Sequence, residues 1–168
     1  VLSLNGVAHA VERSDVPEKY RWDLSALYTD EAAWVAAKQQ FVAAVPGVTA
    51  WQGRLCESAA SLLQAITAWE QASRQLERLY AYAGQRYSED TRIGRSLQMQ
   101  QEVTQAYAQF LAATAFMRPE LIAVGREKID AYVQAEPKLA PYRMYFDDVY
   151  RAAPRQNLKS CAGRQTRI

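Results

Sequence analysis

The 168-residue sequence predicts an all-α fold, an antiparallel helical bundle with two long central helices, an extended N-terminal arm and shorter C-terminal helices. Three observations carry this. Apolar residues recur every three or four positions over two long stretches, the spacing that places side chains on one helix face. No segment alternates apolar and polar residues with β-branched enrichment, so no strand is required. Breakers at Pro46-Gly47, Pro137 and Pro141 separate the periodic runs.

From Ser14 to Tyr28 there is neither strand alternation nor a long helical stripe, which predicts an extended arm with a short turn. Trp22, Leu24, Leu27 and Tyr28 are its apolar anchors, each worth on the order of 1.5–3 kcal/mol if buried. Thr29-Asp30-Glu31 supplies an N-cap and an acid in the first turn, where the helix dipole favours negative charge. A helix over about 30–45 follows, with Trp34, Ala37, Phe41 and Ala44 on one face and Pro46-Gly47 as its stop. After a linker holding Trp51, Gly53 and Leu55, the series Leu62, Leu63, Ile66, Trp69, Leu76, Leu79, Tyr80, Ala83 and Tyr87 runs for about seven turns of 3.6 residues. Glu70 and Arg74 form an i,i+4 pair on its surface. Ser88-Glu89-Asp90-Thr91 breaks the pattern and offers a cap to the next helix, which carries Ile93, Leu97, Val103, Tyr107, Phe110, Leu111 and Ala115. Pro119 fits the first turn of a further helix reaching Val124. Segments 127–135 and 142–151 predict shorter helices.

The composition is that of a folded globular domain, with 49% hydrophobic and 23% charged residues. The net charge of +2 comes from the end of the chain. Arg151, Arg155, Lys159, Arg164 and Arg167 lie beyond position 150, where there is no acid, and they leave 15 basic groups against 18 acidic ones before it. A mildly acidic body argues against a nucleic-acid partner, which needs clustered cations on a folded face. No run approaches the ~20 apolar residues of a membrane span. The two cysteines, Cys56 and Cys161, are far apart and outside any C-x-x-C pattern, so they read as structural or incidental thiols.

Catalytic candidates are few. A zinc peptidase helix of the form His-Glu-x-x-His needs two imidazoles on adjacent turns with a carboxylate between them. This chain has one histidine, His9, and a Ser-His-Asp arrangement in the body fails for the same reason. The acid pairs Glu89-Asp90 and Asp147-Asp148 are adjacent in sequence and do not share a helix face, which favours caps and solvated surface over acid/base work. Ten tyrosines, among them Tyr80, Tyr82, Tyr87, Tyr142, Tyr145 and Tyr150, suit a face lining a wet cleft, although helix packing accounts for them more simply. The site assignment is therefore no catalytic, cofactor-binding or metal residue in this chain.

Three segments in order go beyond a generic bundle. Val16-Pro17-Glu18-Lys19-Tyr20-Arg21-Trp22-Asp23-Leu24-Ser25-Ala26-Leu27-Tyr28, followed by Glu31-Ala32-Ala33-Trp34, resembles the opening of oligoendopeptidase F family proteins. Leu76-Glu77-Arg78-Leu79-Tyr80-Ala81-Tyr82-Ala83 with Ser88-Glu89-Asp90-Thr91 resembles that family's second helix and turn. Leu139-Ala140-Pro141-Tyr142-Arg143-Met144-Tyr145-Phe146-Asp147-Asp148 resembles the short helix leading towards its catalytic half. The resemblance covers roughly residues 14–154. It implies the N-terminal, non-catalytic portion of a thimet-type zinc metalloendopeptidase, forming a wall or lid of a channel that admits oligopeptides, with zinc and His-Glu-x-x-His in a catalytic half outside this sequence. On that reading the chain alone is inactive, the missing catalytic domain is its partner, and self-association is expected. The alternative is a free-standing helical protein-interaction module.

The resemblance stops after Pro154. Residues 155–168 are basic and poor in apolar groups and read as a disordered or out-of-frame tail. Residues 1–13 read as a leader remnant or a disordered extension. Ala8-His9-Ala10 is similar to the small-residue end of a signal peptide, which suggests a periplasmic or secreted protein, the alternative being cytoplasmic.

Overall fold

The computed structural model describes residues 15–55 and 57–152. The tail, the leader-like segment with His9, and both cysteines lie outside the described residues. Among the described residues, six α-helices follow one another: α1 (Glu31–Thr49), α2 (Ala59–Glu89), α3 (Gly94–Thr114), α4 (Met117–Val124), α5 (Arg126–Ala135) and α6 (Arg143–Arg151). No strand occurs among the described residues. The arrangement is the expected antiparallel bundle, with α2 and α3 as the long central pair.

The arm before α1 contains a 3-10 turn at Glu18–Tyr20 and docks through Leu24, Leu27 and Tyr28. Arg78 Nη2 donates to the Leu27 carbonyl at 2.9 Å, and the Tyr28 ring meets Tyr82 edge-on at 5.5 Å. Trp22 departs from expectation, being 55% exposed.

Asp30 caps α1 as its position suggests, Oδ1 accepting from the Ala33 amide at 2.8 Å. Pro46, however, does not end the helix, which runs on to Thr49. A proline this near the C-terminus forfeits one amide hydrogen bond, while continuing by one turn buries Val48. The buried stripe is Trp34, Phe41 and Val48, each seven residues from the next, and the expected Ala44 faces solvent.

At the turn after α2, Asp90 does not cap α3. Its carboxylate binds the Arg92 amide and guanidinium instead, and α3 starts without a side-chain cap. On α3 the buried residues are Ser96, Met99, Val103, Ala106, Phe110 and Thr114. Ile93, Leu97, Tyr107 and Leu111, read from the sequence on the same periodic run, are exposed. The helix carries two apolar stripes, and α1 and α2 cover only one of them. Past the break at Ala115–Phe116, Pro119 occupies the first turn of α4, where its missing N–H costs nothing. Gly125, at φ +87°, joins α4 to α5 in a conformation that L side chains avoid.

Two hydrophobic clusters result. The first joins α1, the second half of α2 and α3 around Trp34, Phe41, Leu76, Leu79, Val103 and Phe110. The second joins the start of α2, the preceding Leu55, and α4–α6 around Leu62, Ile66, Leu121, Ile129, Leu139 and Phe146. Trp69 packs against both.

Candidate functional site

The sequence candidates for acid/base chemistry are held apart in the fold. Asp90 is fixed by Arg92 Nη2 at 2.7 Å, and the hydrogen bonds from Arg92 hold its carboxyl down at about 2. A group so strongly ionised is shifted the wrong way for a general acid at neutral pH. Asp147 is paired with Arg126 at 2.7 Å, and Asp148 with Arg151 at 3.1 Å and Arg118 at 4.0 Å. Each pair is open to solvent on at least one side, where screening leaves an ion pair little net weight.

The Asp90 shift sets a pH dependence. Because the carboxyl is lowered from its ordinary value of 3.8, its contribution to stability is complete above about pH 4 and is lost as the pH falls towards 2. Asp90→Asn should flatten the acid limb of a stability-against-pH curve in that window and leave the neutral region nearly level. Superimposable acid limbs for the two proteins would show that the pair does not act this way.

Among the described residues, no group of three His, Cys, Asp or Glu side chains is placed to hold a metal ion. No helix among the described residues is long and apolar enough to cross a membrane.

What the fold does assemble is a cleft of about 510 Å³ beside the first half of α2. Leu63, Thr67, Ala68 and Gln71 line it from α2, and Lys138 and Tyr142 from the 3-10 segment Pro137–Tyr142. The Tyr142 hydroxyl donates to Glu70 at 2.5 Å, and Arg74 Nη2 donates to the other oxygen of that carboxylate at 2.6 Å. The bond from Tyr142, followed by that from Arg74, lowers the Glu70 pKa, while accepting partner Glu70 raises that of Tyr142. The sequence shows the Glu70–Arg74 pair through its i,i+4 spacing. Tyr142 is 72 residues from Glu70, and no local pattern announces it.

The other tyrosines divide by role. Tyr82 is buried, Tyr145 stacks on Trp69 at 5.5 Å, and the Tyr150 hydroxyl donates to the Leu121 carbonyl. Tyr80 and Tyr107 are each 42% exposed, with ring centroids 6.0 Å apart. With exposed Leu111 they form an apolar patch on the outer face of α2 and α3.

Comparison with known proteins places this arrangement. A family model described as Oligopeptidase F matches residues 120–156, from α4 through α6. The chain is 30% identical over 142 residues to the plasmid-encoded oligoendopeptidase F of Lactococcus lactis subsp. cremoris and 28% identical over 142 residues to the group B oligopeptidase PepB of Streptococcus agalactiae. Each alignment takes in 84% of this chain and 24% of the relative. A crystal structure from Chlamydophila abortus, described as a peptidase, superposes with a TM-score of 0.73 at 27% identity, over 83% of this chain and 24% of that one. The chain spans about a quarter of the length of the curated relatives it matches.

Proposed function

Because the chain corresponds in sequence and fold to the N-terminal region of the oligoendopeptidase F family, we propose that it is the non-catalytic portion of a zinc metalloendopeptidase acting on oligopeptides. Its role is to form a wall or lid of the substrate channel, limiting access to short, flexible chains. The observation that carries this reading is a match to one quarter of peptidases by a sequence with a single histidine. Two imidazoles on one helix are needed to bind zinc and activate water in such enzymes, so cleavage is assigned to a catalytic domain outside this sequence. Packing against that domain, or self-association in its absence, would cover exposed Tyr80, Tyr107 and Leu111. We further propose a periplasmic or secreted location from the leader-like Ala8-His9-Ala10, the alternative being cytoplasmic.

Incubating the purified chain with zinc and an internally quenched oligopeptide should give no hydrolysis above buffer. Chelator-sensitive turnover that co-purifies with the chain would overturn the assignment. A free-standing interaction module shares the expected inactivity, and sedimentation of the same sample separates the two. Concentration-dependent association supports the exposed face of a larger enzyme, whereas a strict monomer at all concentrations favours the module.

A further inference from the structure

The two halves of α2 are buried in different places. Leu62, Ala65 and Ile66 belong to the second cluster, and Ala72, Leu76, Leu79, Tyr82 and Ala83 to the first. The ion pairs divide in the same way. Arg95 joins Glu31 and Glu102, and Glu102 also pairs with Lys38, which ties α1 to α3. Arg126 with Asp147 ties α5 to α6. Besides the apolar contacts of the second cluster, the side-chain links that bring α6 and the preceding segment onto α2 include the Trp69–Tyr145 stack and the Tyr142–Glu70 hydrogen bond.

We infer that the chain consists of two cooperative units sharing α2 as an axis, so that α4–α6 detach from and re-dock on its first half while α1, α3 and its second half stay folded. Local opening costs only the contacts that the opening segment loses. Detaching α4–α6 gives up the second cluster, the aromatic stack and the hydrogen bonds Tyr142–Glu70 and Gly53–Glu120, and leaves the apolar contacts of the first cluster in place. The cleft lies on this seam, with Leu63, Thr67 and Gln71 on the axis and Lys138 and Tyr142 on the moving side. Opening therefore widens the cleft and bares Trp69. This inference stands independently of the peptidase reading.

Native-state hydrogen exchange followed by mass spectrometry on the full chain tests it. Leu121 and Val103, both 0% exposed, mark the second and first clusters. Leu121→Ala should accelerate exchange in α4–α6 and the start of α2 by on the order of a hundredfold and leave α1 and α3 unchanged. Val103→Ala should do the reverse. Should Leu121→Ala fail to fold, Ile129→Val poses the same question with a smaller cavity. The unsubstituted chain in sub-denaturing urea should in addition show two sets of amides with different openings. Equal acceleration of both sets by one substitution, or a single shared opening in urea, would overturn the inference.

Discussion

Trp34→Ala is expected to destabilise the protein by about 3–5 kcal/mol, the range for deleting a large aromatic side chain from a packed core. Trp34 is completely buried, and its indole Nε1 donates to the Leu79 carbonyl at 2.9 Å. It therefore fills the space between α1 and α2 and also fixes the rotation of one helix against the other. Domains of this size are held by about 5–15 kcal/mol in all, so the variant should sit near the folding threshold. Trp34→Phe separates the two contributions. It keeps most of the apolar volume but removes the donor, and it should cost about 1–2 kcal/mol. Urea unfolding of both variants, followed by far-ultraviolet circular dichroism, provides the measurement. A loss below about 1 kcal/mol for Trp34→Ala would show that α1 is not anchored through this residue.

The importance of Trp34 is visible in the sequence because it heads a stripe of apolar residues, but the stripe's true period is not. Reading Trp34, Ala37, Phe41 and Ala44 as one face is the best inference from α1 alone. The observed Trp34, Phe41 and Val48 reflect the path of α2 beneath it, which no local pattern encodes. On α3 the ambiguity is greater, since two apolar stripes are available and the buried one includes Ser96 and Ala106. Small residues let the helices approach closely, yet they carry little hydrophobic signal. The family segments are legible for another reason: motifs such as Leu139-Ala140-Pro141-Tyr142 combine turn chemistry, packing and order along the chain. The Tyr142–Glu70 contact and the cleft beside it depend on tertiary placement and could not be read from spacing.

In the second cluster, Phe146→Ala is expected to cost a similar amount, about 3–5 kcal/mol, with a more local consequence. Helix α6 has nine residues, too few to be stable in water without tertiary contacts. Its buried side chains are Phe146 and Val149, whereas Met144 is 73% exposed. Removing the Phe146 ring takes away most of what docks the helix, together with a partner of the Tyr145 ring at 5.9 Å. Limited trypsin digestion should then cut faster at Arg143 and Arg151, and urea unfolding should show the loss of stability. Phe146→Leu, which retains much of the volume, should cost less than about 1.5 kcal/mol and restore resistance at both arginines. Unchanged cleavage of the alanine variant would show that α6 is held by its ion pairs and by the Tyr150 hydrogen bond to Leu121 rather than by apolar docking. On the hydrophobic account those polar contacts set the helix's orientation, and the buried ring supplies the free energy that keeps it in place.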